Sequence, residues 1–224
     1  SYYGIQDANR LPDLLNTEEY LLIRNEAINN ANSLRDPIRQ LDTYDVAILD
    51  TLGEVNWLDE VFNSAPTQRY SLSASGGGDN GSFYLLGEYS SQEGVFKRQR
   101  YDKYLLRFNG DIGTKKFRVG NNISFSYTDR DVINSSGDGG GPGNELSGIR
   151  YALIAAPVFP IYDQNGNYNN TSSTLGDPTL YGDGNANPLA FIDATNWTVQ
   201  RYRFFGNVFA EYKFLPNLTF RTNL

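Results

Sequence analysis

The stretch RFNGDIGTKKFRVGNNISFSYTDR, residues 107–130, contains two runs of alternating side chains joined by a short polar turn. Because side chains alternate between the two faces of a strand, this pattern predicts a β-hairpin with one apolar and one polar face. The apolar face would carry Phe108, Gly110, Ile112, Phe117, Val119, Ile123, Phe125 and Tyr127. The polar face would carry Arg107, Asn109, Asp111, Arg118, Gly120, Asn122, Ser124 and Ser126.

Two further hairpins repeat this pattern. Residues 69–76 and 83–91 alternate in the same way around the glycine-rich turn GGGDNGS, and a third hairpin surrounds FLPNL at 214–218. With an extended segment at 1–6, the sequence predicts seven strands. Short turns alternate with longer connections, which are predicted at 92–103 and, rich in Gly, Asn and Asp, at 128–198.

The segment between the first and second predicted strands contains helix signals. Asn16 followed by Glu19 has the spacing of a capping box, which predicts a helix that begins at this point. A second short helix or turn is predicted at 56–66. The apolar face of the first helix is expected to carry Tyr20, Ile23, Ala27 and Ala31.

Composition excludes several classes of function. The 224 residues contain no Cys and no His, so thiol nucleophiles, imidazole bases and the usual zinc sites are absent. The net charge is -7 and no run of Lys or Arg occurs, which argues against binding to nucleic acid. The sequence contains no stretch of 18 apolar residues, the length of a transmembrane helix.

Alternation alone fits both a soluble sheet and a membrane barrel. Three features favour the barrel: strands long enough to cross a bilayer obliquely, short turns at one rim with long loops at the other, and aromatic residues near strand ends. In a barrel, lipid would contact the apolar face and water the polar one. The aromatic residues are Tyr70, Tyr89, Tyr104, Phe117, Tyr127, Tyr202, Tyr212 and Phe214.

Several phrases of the sequence resemble the SusC/RagA-type TonB-dependent transporters of Bacteroidetes outer membranes. They are SYYGIQD, LLNTEEYLLIRNEA, NWLDEVFNSAPTQRYSLSASGG, GEYSSQEGVFKRQRYDKYLLRFN, APVFPIYDQNGNY and GNVFAEYKFLPNLTFRT, in this order over nearly the whole chain. The resemblance implies an all-β fold: a partial transmembrane antiparallel β-barrel, with about 7 of some 22 strands and a short helix in the first extracellular loop. Residues 1–224 would be a fragment of a single barrel domain, without the plug, the TonB box and the remaining strands.

The resemblance also implies a location and a function. The barrel would lie in the lipid of the bacterial outer membrane and import large nutrients, glycan oligosaccharides or peptides. A SusD-like surface lipoprotein would close its mouth, and the TonB complex would supply energy through the absent N-terminal part. No catalytic residue and no nucleic-acid partner are expected. Two alternatives stay open: a soluble β-rich carbohydrate-binding module, and a relative of the family that transports nothing itself.

Two groups of residues are candidates for contact with a ligand. The first consists of aromatic residues in predicted external loops that would stack on substrate or touch the lid, or else pack the loops together: Trp57, Tyr162, Tyr168, Tyr181 and Trp197. The second consists of polar residues expected to face the lumen, where polarity is also a structural requirement: Glu88, Arg107, Asp111, Arg118, Arg203, Glu211 and Arg221.

Two loop segments have oxygen-bearing side chains at alternate positions, as calcium loops do: DQNGNYN at 163–169 and DGNAN at 183–187. Both depart from the EF-hand pattern, because Tyr168 or Pro188 stands where that loop requires Gly. Turn formation by Asn, Asp and Gly accounts for both segments. We therefore expect neither a metal nor a cofactor.

Overall fold

The structure is a computed structural model that describes residues 1–132, 148–170, 177–181, 186–195 and 197–224. Its main element is one antiparallel sheet of seven strands, whose spatial order is the order of the chain. The strands are β1 (Tyr2–Gln6), β2 (Ala65–Gly78), β3 (Gly81–Glu93), β4 (Arg100–Gly113), β5 (Phe117–Val132), β6 (Trp197–Leu215) and β7 (Leu218–Asn223). The three predicted hairpins and the extended first segment are therefore confirmed, and the sheet is open, with β1 and β7 at its edges.

The strands extend beyond the apolar segments that predicted them, mainly at the end that carries the long loops. The connection predicted at 92–103 is wrong in length, because Gln92, Glu93 and residues 100–103 continue the ladder between β3 and β4. Backbone hydrogen bonding does not require apolar side chains, so the strands stay paired beyond the residues that alternate between apolar and polar. The connection is only residues 94–99. We call this end of the sheet the loop end and the opposite end, with its short turns, the turn end.

The strand register separates the side chains into the two predicted faces. Phe108 lies opposite Ile123, and Ile123 lies opposite Gly206, so these residues share the apolar face. Asn109 and Asn122 are likewise opposite each other on the polar face. Directly opposed residues of antiparallel strands point to the same side, so the register extends both faces across the sheet.

Five tyrosines form a row across the apolar face near the loop end. Each is the direct neighbour of the next in the strand register, in the order Tyr70, Tyr89, Tyr104, Tyr127 and Tyr202. Ring centroids lie 4.9 Å apart for Tyr89 and Tyr104, 6.0 Å for Tyr104 and Tyr127, and 4.8 Å for Tyr127 and Tyr202. Toward the turn end, Phe117, Tyr212 and Phe220 form a second aromatic row. The apolar face is thus bounded by aromatic rings at both ends.

The first long connection contains the predicted helix, α1 (Thr17–Asn32). Its capping box is confirmed: the Glu19 amide donates to Asn16 Oδ1 at 2.9 Å, and the Asn16 amide donates to Glu19 Oε2 at 3.1 Å. The predicted apolar face is correct for Tyr20, which packs against buried residues of the loops, but Ile23 is exposed while Leu21 and Ile28 are buried. The buried stripe is rotated from the predicted one because this helix packs on other loop segments through Leu21.

In the described parts of the long connections, four short helices follow, all at the loop end. They are α2 (Trp57–Val61), α3 (Gly148–Ile154), α4 (Pro178–Tyr181) and α5 (Pro188–Ala194), and they pack on one another and on α1. Two 3₁₀ helices, Pro37–Arg39 and Val46–Thr51, complete the first connection. Among the described residues, no helix is long and apolar enough to cross a bilayer.

Candidate functional site

All seven predicted lumen residues lie on the polar face of the sheet. The register pairs Arg107 with Ser124 and Arg203 with Ser126, on the same side as Asn109 and Asn122. The others follow by the same alternation: Glu88, Asp111, Arg118, Glu211 and Arg221. The structure therefore brings these side chains to one surface, and that this surface lines a lumen stays a prediction.

Near the turn end, two pairs of opposite charges on the polar face join neighbouring strands. Arg118 Nε lies 3.0 Å from Asp111 Oδ2, and Arg221 Nη1 lies 3.0 Å from Glu211 Oε1. The Arg221 guanidinium also lies 4.2 Å from the ring centroid of Phe209. Each pair joins two adjacent strands, so these charges tie the sheet together on its polar side.

The loops at the loop end form a separate hydrophobic cluster, which we call the loop cap. It comprises residues 7–64, 94–99 and the described part of 133–196. Its buried side chains include Leu21, Trp57, Val61, Phe96, Ala152, Val158, Phe159, Leu180, Leu189 and Ile192. Because these residues come from three connections, the cap fixes the loops relative to one another.

Trp57 lies at the centre of the loop cap and is 0% exposed. Its indole Nε1–H donates to the Ala156 carbonyl at 3.0 Å, and its ring centroid lies 5.8 Å from that of Phe159. A fully buried side chain cannot stack on a substrate or touch a lid, so Trp57 follows the packing alternative. Tyr181 also packs against the cluster.

Tyr162 and Trp197 are more accessible, whereas Tyr168 also packs against the cluster. Tyr162 and Tyr168 face each other across a small hairpin, with stacked rings 5.0 Å apart. Tyr162 is 51% exposed and Trp197, at the start of β6, is 59% exposed. The structure does not bring Trp197 into this stack, so the five predicted aromatics do not form one surface.

Tyr168 connects the hairpin to α5 and to the second loop. Its hydroxyl donates to Asp193 Oδ2 at 2.8 Å, and Asp193 Oδ1 also accepts from Arg98 Nε at 2.9 Å. Burial, followed by the bonds to Asp193 and Tyr162, raises the pKa of Tyr168. These contacts join residues 25 and 95 positions apart, in pairs that no local sequence pattern indicates. Sequence reasoning accordingly missed Arg98 and Asp193.

A second tyrosine fixes α1 in the cap. The Tyr20 hydroxyl donates to the carbonyl of Leu180 in α4 at 2.8 Å. Burial raises the pKa of Tyr20, opposed by nearby Arg24 and assisted by Asp177. The neutral phenol is the form that donates this hydrogen bond, so the contact is maintained at ordinary pH.

The predicted calcium alternative at 163–169 has another explanation in the structure. Asp163 Oδ1 accepts the backbone amides of Asn165 and Asn167, both at 2.8 Å. The hydrogen bond from the Asn167 amide is the main cause that lowers the pKa of Asp163, and the bond from Asn165 adds to it. Desolvation acts in the opposite direction but is smaller than the effect of Asn167. Gly166 has a φ of 83°, the left-handed conformation that the turn needs. The carboxylate therefore closes a tight turn.

Only part of the second calcium alternative, 183–187, lies within the described residues. Asn187 is buried, caps α5 through its side chain and donates from Nδ2 to the carbonyl of Ile161 at 2.8 Å. Among the described residues, no group of three or more acidic side chains has a geometry that could hold a metal ion.

An open antiparallel sheet with one apolar face, short turns at one end and packed loops at the other defines the wall of a partial β-barrel. Comparisons with known proteins agree with this class. The chain is 28% identical over 221 residues to TonB-dependent receptor P3 of Formosa agariphila, covering 98% of this chain and 20% of that protein. It is 25% identical over 190 residues to TonB-dependent receptor SusC of Bacteroides thetaiotaomicron, covering 77% of this chain and 18% of SusC.

Solved structures show the same fold. The RagAB peptide importer in its open-open state matches with a TM-score of 0.69 and 19% identity, over 99% of this chain and 26% of that chain. The closed-closed state matches with a TM-score of 0.68. No family model matches the chain.

These findings confirm that the chain resembles SusC/RagA-type TonB-dependent transporters and has the fold of part of their barrel. The chain spans about a fifth of the length of the relatives named above, at 20% and 18%. Those relatives are receptors rather than enzymes, which agrees with the expectation of no catalytic residue.

Proposed function

We propose that the chain is part of a single outer-membrane β-barrel domain that imports large nutrients by TonB-dependent transport. The observation that carries this proposal is the apolar face of the sheet, bounded by the tyrosine row near the loop end and by Phe117, Tyr212 and Phe220 near the turn end. Aromatic girdles at both edges of an outward-facing apolar band are typical of outer-membrane barrels.

The height of this band fits a membrane. Tyr127 and Phe117 mark its two edges on β5. At a rise of about 3.3 Å per residue they are about 33 Å apart along the strand, and a tilt of about 40° reduces this to about 25 Å along the barrel axis. That is about the height of the apolar band of outer-membrane barrels, roughly 25 Å.

The two ends of the sheet then have an orientation. Outer-membrane barrels have short periplasmic turns and longer extracellular loops, so the loop cap lies outside the cell. In this arrangement a SusD-like lipoprotein closes the mouth beside the loop cap, and the TonB complex acts from the periplasmic side through another part of the protein. One relative is a TonB-dependent receptor and one structural neighbour is a peptide importer, which supports coupling to TonB and a peptide as one class of cargo. The cargo is a glycan oligosaccharide or a peptide.

The soluble carbohydrate-binding module is a weaker candidate because it needs a second layer over the apolar face. Leu72 and Phe204 of this face are 81% and 72% exposed, and the described helices pack on one another rather than on the sheet. A soluble sandwich buries such side chains against a second sheet. In a barrel the same side chains lie in lipid.

Uptake by cells tests the proposal. The test strain lacks the gene of the full-length receptor that contains this chain. We would restore either that receptor or a version without the segment that contacts TonB, and measure accumulation of fluorescent oligosaccharides and peptides. We expect uptake of one cargo class only with the energised receptor, and its loss when the lid lipoprotein is deleted.

The opposite results are equally informative. A parent protein that fractionates with soluble proteins would replace this function with the soluble module. A receptor that is present in the outer membrane but gives no uptake of any cargo would identify a non-transporting relative.

A further inference from the structure

A groove of about 690 Å³ runs along the polar face at the loop end, across β4, β5 and β6. Five cations line it: Lys103, Arg107, Arg130, Arg201 and Arg203. The described residues that line the groove include no carboxylate. The chain has 19 Lys and Arg against 26 Asp and Glu, so the groove is a basic region in an acidic protein.

These five cations have no internal partner within the described part of the chain, since none of them takes part in an ion pair there. Other arginines of the same face do have partners. Arg118 and Arg221, near the turn end, are each paired with a carboxylate at 3.0 Å. Arg118 and Arg221 therefore have internal partners among the described residues, whereas the five cations of the groove do not.

Near the loop end, the acidic side chains of β4 and β5 lie on the opposite face. Asp102 and Asp129 are directly opposed near the tyrosine row, where they accept hydrogen bonds from Tyr89 and Tyr127 at 3.1 and 3.0 Å. Because faces alternate, the adjacent Lys103 and Arg130 point into the groove. Near the loop end, the alternation therefore places Asp102 and Asp129 on one face and Lys103 and Arg130 on the other.

Hydroxyl groups separate the cations within the groove. Thr128 lies opposite both Lys103 and Arg201, Ser124 lies opposite Arg107, and Ser126 lies opposite Arg203. No two of the five cations are direct cross-strand neighbours, a position in which like charges destabilise a sheet. The surface therefore presents several separate donors for anions with polar groups between them.

Aromatic side chains extend the groove at the loop end. Tyr101 is the cross-strand neighbour of Arg130, and Trp197 lies at the start of β6 with 59% of its surface exposed. The exposed Trp197 and the half-buried Tyr101 offer flat apolar surfaces with polar edges, which suit stacking against the apolar face of a sugar ring. The combination of spaced cations, hydroxyls and aromatic rings fits a charged saccharide better than a compact protein surface.

We propose that this groove binds a negatively charged oligosaccharide, with its carboxylate or sulfate groups on the five cations. The inference rests on the proposed import function and names its cargo class. Arg forks bind carboxylate and sulfate-like groups by paired charge-assisted hydrogen bonds. In a narrow lumen, such a surface also concentrates anions from the medium.

Binding to the purified full-length receptor tests this inference. The probes are hexagalacturonate and sulfated maltohexaose, with methyl-esterified hexagalacturonate and maltohexaose as their neutral counterparts. We expect at least one charged probe to bind in calorimetry, its neutral counterpart to bind at least about tenfold more weakly, and the charged binding to weaken with added salt. The probe that binds distinguishes carboxylate from sulfate.

Matched variants locate the site. The triple variant R130Q/R201Q/R203Q should reduce affinity for the charged probe at least about tenfold, because even one charge-assisted hydrogen bond can carry about that factor. The triple variant K115Q/K116Q/K213Q removes the same number of cations at the turn end, outside the groove, and it should leave the affinity within about threefold. If R130Q/R201Q/R203Q does not fold, the single variants R201Q and R203Q replace it, and each should weaken binding of the charged probe.

Four outcomes would overturn the inference. Neutral and charged probes that bind equally would show that the groove does not select anions, and failure of both charged probes to bind would exclude the proposed ligand. Tighter binding of hexaglutamate than of either charged saccharide would identify acidic peptides as the ligand. If the wild-type receptor binds no charged probe and R130Q/R201Q/R203Q makes the plug more sensitive to protease, the cations contact the plug instead. In each of these cases, uptake of a neutral cargo would still support the proposed import function. Binding of an anion without energised uptake would contradict the import function but not the binding site.

Discussion

Tyr104 lies directly opposite Tyr127 in the β4–β5 register, with ring centroids 6.0 Å apart and planes inclined by 26°. Tyr104 also contacts Tyr89 on its other side, at 4.9 Å. The central position of the row is therefore filled by a ring with two aromatic neighbours. Cross-strand aromatic pairs of this kind contribute to sheet stability beyond the burial of their surface.

The variant Tyr104→Ala should destabilise the barrel. Loss of two ring contacts removes about 1 to 3 kcal/mol, at roughly 0.5 to 1.5 kcal/mol for each pair. The measurement is the temperature at which the detergent-solubilised receptor loses its compact, heat-modifiable migration on a gel. Tyr104→Phe is the control, because it keeps the ring, and the Tyr104 hydroxyl makes no hydrogen bond to a described residue. Equal losses in both variants would show that the ring contacts do not matter.

The variant Ile123→Arg should impair insertion into the outer membrane. Ile123 lies on the apolar face between the two aromatic rows, and a cationic residue near the bilayer midplane of a barrel costs about 2 to 4 kcal/mol. The measurement is the amount of receptor in the outer-membrane fraction and its resistance to urea extraction. Asn122→Arg is the matched control on the polar face, where the same side chain would meet water. Normal insertion of Ile123→Arg would contradict the assignment of the apolar face to lipid.

The sequence predicts the sheet well because its two faces meet different environments. Alternation in residues 107–130 places Phe108 and Ile123 on one face and Asn109 and Asn122 on the other, as the register confirms. The pattern does not predict strand ends, since Gln92 and Tyr101 pair beyond the apolar segment. There, hydrogen bonds continue after the side-chain signal has ended.

The loop cap was less predictable because its packing joins distant parts of the chain. The capping box of Asn16 is a local signal and is correct, whereas the buried side of α1 depends on what the helix packs against, and Ile23 is exposed. Trp57 and Ala156 are 99 residues apart in sequence and share a hydrogen bond. Composition identifies such residues as candidates, but only the fold determines whether they are exposed.

The variant Trp57→Ala should loosen the loop cap and leave the barrel in place. Truncation of a fully buried Trp typically costs about 3 to 5 kcal/mol, and here it also leaves the Ala156 carbonyl without its donor. The measurement is the rate at which external trypsin cleaves the loops in intact cells, where Arg35 and Arg39 are exposed sites. Trp197→Ala is the control, since that side chain is largely exposed, and it should change the rate little. Unchanged cleavage of Trp57→Ala would mean that this packing does not hold the cap together.

The contact between Tyr168 and Asp193 should make the loop cap sensitive to alkaline pH. Burial and the hydrogen bond to Asp193 raise the pKa of Tyr168 above its ordinary value of 10.0. Because the folded state holds this proton more tightly, its contribution to stability is complete below the pKa of the unfolded chain. The contribution is lost as the pH rises from about 10 through the higher pKa of the folded state.

The measurement is the rate of subtilisin cleavage of the loops in the detergent-solubilised receptor between pH 8 and pH 11. We expect the wild-type rate to rise steeply above about pH 10, and Tyr168→Phe to be cleaved faster at pH 8 but to change less between pH 8 and pH 11. Tyr3→Phe, which alters an exposed tyrosine of β1, corrects for the general effect of alkaline pH and should follow wild type. If Tyr168→Phe shows the same alkaline increase as wild type, another group is responsible for the pH dependence of the cap.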